Sequence, residues 1–263
     1  MEQHWTEKLF VEKPSLFTDS LENLLEQATG EVVGLVNVFS EFQVSKNSLV
    51  LDLCCGIGRH SVALAEKGFK VVGVDISPEF IARAREIAVE RKVNRNVEFK
   101  VGDMRKISEV LKECQEKFNA VINLFTSIGY YDREMDRNIL GQLRELTTSR
   151  GILVIDIANR DWLVRHFQAR DAQQISDVLF RVVERKLNLE SSRMENVWKY
   201  YRKHKHDLEY LETVEVNHRV YSLHELKKLV EESGWIYQTC YGGFNSDPFT
   251  MDSRRIVLVA KKN

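Results

Sequence analysis

From Ser48 onward the sequence alternates short apolar runs with longer amphipathic segments, the pattern of a parallel sheet covered by helices on both faces. The apolar runs fall at 49–53, 70–74, 97–101, 120–125 and 152–157. Helical stretches separate them, the first through Ala65, the second to about Arg91, then 107–117 and 133–147. Ser77-Pro78-Glu79 marks one helix start, with an N-cap, a proline at the first helical position and an acid in the first turn. Strands that are apolar on both faces cannot lie at a surface, so the expected fold is α/β.

The flanking regions read differently. Up to about Phe42 the pattern is helical, with Leu21, Leu24, Leu25 and Ala28 at helical spacing. After Phe167, the stretches 178–189, 194–204 and 210–220 read as three strands with short polar turns. In the last, Thr213, Glu215, Asn217 and Arg219 share one face, and Val214, Val216, His218 and Val220 the other. Such half-polar strands suit an antiparallel insert with one solvated face. Ser222-Leu223-His224-Glu225 is a capping box that restarts helix through Glu232, and 235–241 and 255–261 return to the main sheet. The expected division is a helical segment at 1–45, a sheet domain at 46–168, an antiparallel β insert at 169–220, and a return at 221–263.

Composition excludes several classes. A net charge of −1 over 263 residues gives no global attraction to polyanions or membrane surfaces. The start, Met1-Glu2-Gln3-His4-Trp5, lacks the basic-then-apolar pattern of a secretory signal, and no apolar run approaches bilayer length. Four cysteines, two of them the adjacent Cys54 and Cys55, match neither a disulfide framework nor a zinc spacing. The expectation is a cytoplasmic protein with reduced, buried thiols.

The chemistry concentrates in Leu51-Asp52-Leu53-Cys54-Cys55-Gly56-Ile57-Gly58-Arg59-His60. A strand ends near Asp52, turns through two glycines and enters a helix, whose N-terminus offers free N–H groups to a ligand. The third glycine of the dinucleotide fingerprint is replaced by Ser61, which argues against a bound pyrophosphate. Asp75 ends the second strand, seventeen residues past Gly58, where a carboxylate can accept from both ribose hydroxyls of an adenosine. Gly102-Asp103-Met104 ends the third, where Asp103 can accept from an adenine amine. Each acid alone can equally be a cap; three at successive strand ends point to a nucleoside site.

These residues resemble the class I S-adenosylmethionine-dependent methyltransferases. Asp52-x-Cys54-x-Gly56-x-Gly58 is similar to their first motif, Asp75 to their ribose acid, and Gly102-Asp103-Met104 to their adenine-side motif. Asn123-Leu124-Phe125-Thr126-Ser127-Ile128-Gly129-Tyr130 is similar to the segment after their fourth strand, and Ser253 to Ala260 to their antiparallel seventh strand. The resemblance runs from about Ser48 to the C-terminus. It implies a Rossmann-like, mostly parallel seven-stranded sheet whose last strand is antiparallel. It also implies S-adenosylmethionine as cofactor, bound by Asp52, Cys54, Gly56, Gly58, Arg59, Asp75, Ile76, Asp103, Met104 and Asn123. The insert is similar to the antiparallel cap of small-molecule members such as glycine N-methyltransferase-like enzymes. One departure is Cys54, where many members have glycine.

The acceptor side is open to more than one reading. Tyr130 and Tyr131 form either an aromatic wall or ordinary packing. Asn159, Arg160 and Asp161 contact substrate or cap a helix. Arg59 reaches the methionine carboxylate or carries surface charge; His60 reads as structural. His218 is a core histidine or a substrate ligand. The stretch Trp198-Lys199-Tyr200-Tyr201-Arg202-Lys203-His204-Lys205-His206 mixes cations with aromatics, as an RNA-binding face does, but strand alternation splits the cluster into a solvated strand. No metal constellation is evident. The reading is a methyltransferase for a small-molecule acceptor. The alternatives are an RNA or protein methyltransferase, a nicotinamide-dependent oxidoreductase, and a non-catalytic module that binds S-adenosylmethionine.

Overall fold

Two sheets organise the computed structural model, which describes residues 4–205 and 207–263. Met1, Glu2 and Gln3, used above against a signal sequence, and His206 of the basic stretch lie outside the described residues. The chain begins with α1 (Trp5–Glu7), a π turn (Lys8–Glu12), α2 (Ser15–Glu22) and α3 (Leu25–Glu41). It continues through β1 (Leu49–Leu53), α4 (Arg59–Glu66), β2 (Lys70–Asp75), α5 (Pro78–Glu90), β3 (Val97–Val101), α6 (Ile107–Val110), β4 (Phe118–Asn123), α7 (Arg133–Leu146) and β5 (Thr147–Ala158). After α8 (Arg160–Arg165) come β6 (Arg170–Gln174), β7 (Leu179–Asn188), β8 (Arg193–His204) and β9 (Asp207–Arg219), then α9 (Leu223–Glu232), β10 (Ile236–Tyr241) and β11 (Arg255–Lys261).

The main sheet has seven strands in the order β3-β2-β1-β4-β5-β11-β10, with β11 antiparallel to both its neighbours. Asp52 of β1 pairs with Gly73 of β2 on one side and Ile122 of β4 on the other. The strand order reverses at β1, so a crevice opens beyond its C-terminal end, where ligands bind in open α/β sheets. Leu51 and Leu53 pack in one core with α7 and α9, while Val50 packs in the other with α3 and α4. This two-sided burial is why the runs are continuously apolar.

The second sheet is antiparallel, in the order β6-β7-β8-β9. Val214, Val216 and Tyr200 of its inner face share one apolar cluster with Phe10, Leu21 and the loop residues Cys55 and Ile57. Gly129, at φ 104°, lets the insert close: Arg219 N–H donates to its carbonyl at 2.7 Å, and a Cβ there would lie 2.3 Å from the Arg219 oxygen.

Four details differ from the sequence expectation. The N-terminal segment is broken, because Lys13 precedes Pro14 and leaves helical geometry at φ −128°, ψ 43°. The helix expected over 107–117 lasts only through Val110, because Leu111 (φ −115°, ψ 30°) ends it and a 3-10 turn follows. The insert has four strands, not three: β6, Arg-Asp-Ala-Gln-Gln, is a polar edge strand without apolar alternation to announce it. Trp198 and Tyr200 point inward and not into solvent: Tyr200 is fully buried, and Trp198 packs on the inner cluster.

Candidate active site

Beyond β1 the chain makes a tight turn. Cys54 (φ 62°), Gly56 (φ 55°) and Gly58 (φ 75°) all adopt the left-handed conformation. Cys54 therefore occupies a glycine-like geometry at a cost of about 1–2 kcal/mol. Its Sγ donates to Met104 Sδ at 3.3 Å. The turn is clamped by Asp75, whose Oδ2 accepts from Gly56 N–H (2.8 Å) and Oδ1 from Ser77 N–H (2.9 Å). Burial pushes the Asp75 carboxyl up to about 6, despite those donors. A carboxylate has roughly four acceptor sites, so about two remain for a ligand. Beneath it, Ser61 Oγ donates to Asp52 Oδ2 at 2.6 Å, both side chains being buried. The serine that replaces the fingerprint glycine thus fixes the first acid.

The cleft over this turn is also lined by Ile76, Phe80, Asp103 and Met104. Asp103 accepts from the backbone N–H of Arg105 at 2.8 Å and from its side-chain Nε at 2.7 Å, so it is both a cap and a wall of the cleft. Arg105 also pairs with Glu7 at 2.9 Å and lies over the Tyr131 ring at 4.9 Å. At the opposite end of the cleft, Arg59 and His60 converge on Glu31 of α3, at 2.5 and 2.7 Å. Burial works to raise the Glu31 carboxyl, but the His60 hydrogen bond and the Arg59 charge outweigh it and bring it down to about 2.

A second pocket of about 290 Å³ lies between the loop after β4 and the inner face of the insert. Phe10, Phe17, Phe125 and Tyr130 line both spaces, so the two meet at these rings. Phe125 (φ 63°) and Thr126 (φ 66°) are consecutive non-glycine residues in the left-handed region, a strain that only a well-braced loop sustains. The brace is Asp156: its Oδ2 accepts from Phe125 N–H and its carbonyl from Thr126 N–H, both at 3.0 Å, and Arg255 pairs with its carboxylate at 2.5 Å. The Phe125 ring sits under Arg59 at 5.1 Å and Arg255 at 5.9 Å. His218 faces this pocket from β9, and burial, reinforced by the nearby Arg193 charge, lowers its imidazole to about 4.

A methyltransferase domain profile matches residues 44–229, well over half of the chain. The chain belongs to the class I S-adenosylmethionine-dependent methyltransferases. A glycine/sarcosine N-methyltransferase of Aphanothece halophytica is 32% identical over 157 residues, 59% of this chain and 54% of its own. The chain spans about half the length of the curated relatives it matches. Among solved structures, an S-adenosylmethionine-dependent methyltransferase from Clostridium acetobutylicum superposes with TM-score 0.75 at 15% identity, covering 88% of this chain and 90% of that one. The sugar N-methyltransferase KedS8 from Streptoalloteichus superposes with TM-score 0.65 at 18% identity, covering 89% and 87%. S-adenosylmethionine is accordingly the cofactor, and the acids and turn of the cleft suit its adenosine.

Most residues singled out in the methyltransferase sequence meet at one place. Asp52, Cys54, Gly56, Arg59, Asp75, Ile76, Asp103, Met104, Tyr130 and Tyr131 line the cleft, and His218 the adjoining pocket. Gly58 stands behind as the left-handed N-cap of α4, where a Cβ would strike the Phe99 ring at 2.6 Å. Two expectations are corrected. Asn123 is fully buried behind the wall: its Nδ2 donates to the Leu53 carbonyl, and its Oδ1 accepts from Ile128 N–H. Arg160 turns away from both spaces to Glu225 (2.7 Å) and Ser192 (3.1 Å), because Asn159 caps α8 at its shoulder. Sequence reasoning missed the N-terminal contribution of Trp5, Phe10 and Phe17, and the Glu31 clamp. The aromatic spacing of the first segment was the available signal for the former; Glu31 had none.

Proposed function

We propose that the protein transfers a methyl group from S-adenosylmethionine to a small-molecule acceptor held between the post-β4 loop and the insert. The observation that carries this is the junction at Phe10, Phe17, Phe125 and Tyr130, where a cleft with nucleoside chemistry opens into a separate, mostly apolar pocket. The names of the Aphanothece and Streptoalloteichus relatives, which act on glycine or sarcosine and on a sugar, support a small acceptor.

The cofactor supplies a methyl group already activated by its sulfonium. The chain's own residues bind, align and exclude water. Asp75 uses its remaining acceptor sites for the ribose hydroxyls, and Asp103 with Met104 and Ile76 borders the base. Arg59, paired with Glu31, faces the methionine end. The Phe125 and Tyr130 rings wall the line between methyl and acceptor. His218, neutral above about pH 4, accepts a hydrogen bond from an acceptor N–H or O–H and aims the lone pair. The insert selects the acceptor, and the sheet domain holds the donor. We place this activity in the cytoplasm: the four cysteines are free, and among the described residues no helix is long and apolar enough to cross a membrane.

Incubation of the protein with methyl-labelled S-adenosylmethionine, a metabolite extract and total RNA tests the proposal. Label is expected in the low-molecular-weight fraction. Label confined to RNA would establish the nucleic-acid alternative, and no transfer to any fraction would favour a non-catalytic module.

A further inference from the structure

The inner face of the insert contains polar atoms that the protein itself leaves without partners. Among the described residues, eight buried side-chain nitrogen or oxygen atoms lack a hydrogen bond. Four of them belong to one patch: Arg181 Nε and Nη1, Trp198 Nε1 and Tyr200 Oη. Arg181 and Tyr200 are register partners on β7 and β8, and Trp198 lies one pair along on the same face. The Arg181 guanidinium stacks on Trp198 at 4.4 Å and lies 5.9 Å from the Tyr200 ring. Buried polar groups in native proteins are nearly always hydrogen-bonded, so a cluster of orphans calls for an explanation.

The charges narrow it. Three cations line the acceptor pocket, Arg181, Arg185 and Arg255, and no Asp or Glu does. Arg185 pairs with Asp171 at 3.2 Å and Arg255 with Asp156 at 2.5 Å. Arg181 has no carboxylate partner among the described residues: its Nη2 donates to Gln173 Oε1, a neutral group, at 2.5 Å, and its charge acts on the neighbouring Tyr200 hydroxyl. Arg181 is partly exposed as a whole, but its Nε and Nη1 are shut off from solvent without a partner. The orphan nitrogens can only donate, and the Tyr200 hydroxyl can donate too. What satisfies such a set is a group with several lone pairs and negative charge. The rest of the pocket is aromatic and aliphatic, including Trp5, Phe10, Phe17, Val183 and Met194.

We infer that the methyl acceptor is a carboxylate-bearing small molecule with a flat or apolar body, and that Arg181 anchors its carboxylate against β7 and β8. This rests on the methyltransferase reading and adds the substrate class. The carboxylate enters from the pocket side of Arg181, takes one of its two unpartnered N–H groups, and leaves the body among the aromatic rings. With three arginines and no acidic lining, the pocket favours an anionic acceptor over an ammonium ion without an acid group.

Benzoate and benzamide serve as matched probes, titrated by calorimetry into the protein saturated with S-adenosylhomocysteine. The wild type is expected to bind benzoate at least ten-fold more tightly than benzamide. Arg181→Gln should bring the ratio to near one, and Arg181→Lys should keep part of it. Thermal unfolding without ligand adds a readout that a merely structural arginine would move the other way: no ion pair is lost, so Arg181→Gln is expected to be as stable as wild type. Equal binding of the two probes by the wild type, or binding of neither, overturns the inference. So does an unchanged ratio in Arg181→Gln, or a loss of stability that Arg181→Lys rescues without any carboxylate preference. S-adenosylhomocysteine binding in the same titrations separates the failures: if it is absent from the wild type, the methyltransferase reading itself has failed.

Discussion

The cleft proposed for the donor and the pocket proposed for the acceptor are finished to different degrees. Around the cleft, the acids of the first three strand ends already have partners in the chain: Asp52 in Ser61, Asp75 in two backbone N–H groups, Asp103 in Arg105. Across the junction, Arg181, Trp198 and Tyr200 hold donors with nothing to donate to, and His218 lines the same pocket. A scaffold built for one constant ligand can prearrange its acceptors at strand ends. A wall that selects among substrates keeps its polar groups for the ligand, at a cost in stability.

The largest expected effect lies on the finished side. Asp75→Ala should weaken S-adenosylhomocysteine binding by about 1.5–3 kcal/mol, because it removes charge-assisted hydrogen bonds and also releases the Gly56 N–H. Calorimetry on a variant that still melts cooperatively checks this; unchanged affinity would withdraw Asp75 from the donor site. The same carboxyl sets a pH dependence. Hydroxyl donors favour the ionised form, and Asp75, pushed up to about 6, becomes protonated as pH falls below that value. Donor affinity should be flat above about pH 7 and fall by up to about ten-fold per unit below 6, with proton release on binding. Titration in two buffers of different ionisation enthalpy reads that release, and affinity that rises on acidification would reverse the assignment.

On the unfinished side, His218→Ala should lower acceptor turnover by about ten-fold, roughly 1.4 kcal/mol of transition-state alignment. Donor affinity should change less than two-fold. A variant that loses donor binding as much as turnover would erase the distinction between the two spaces. The smallest effect is expected on the outer insert. Lys199 already pairs with Glu184 at 3.0 Å and Arg202 with Glu209 at 3.4 Å. Replacing Lys199, Arg202, Lys203 and Lys205 together by Ser should therefore leave donor binding unaltered and shift stability by no more than about 1 kcal/mol. Salt-sensitive RNA binding by the wild type that this variant abolishes would move the acceptor to nucleic acid.

The same contrast explains how much was legible in the sequence. Strands buried on both faces announce themselves as apolar runs, and the donor turn follows directly from one of them, so the main sheet and the cleft were readable. Strand position says where the backbone goes but not where a side chain turns. Asn123 and Arg160, both near ligand-edge strand ends, therefore served as internal braces. Ser61 looked like a gap in a fingerprint and is the donor that secures Asp52. The second pocket joins Trp5, Phe125, Arg181 and His218, residues far apart in the chain, and no local pattern records their meeting. Arg181 lies in a half-polar strand, where an arginine reads as solvated until the facing strand is known.

The central claim is that three acidic strand ends and a two-glycine turn make a site for S-adenosylmethionine and not for a dinucleotide. Titrating the purified protein with S-adenosylhomocysteine and with NAD, in one buffer at pH 7.5, tests it most directly. S-adenosylhomocysteine should bind with a saturable heat and NAD with none; NAD binding as tight or tighter would contradict the cofactor assignment and everything built on it.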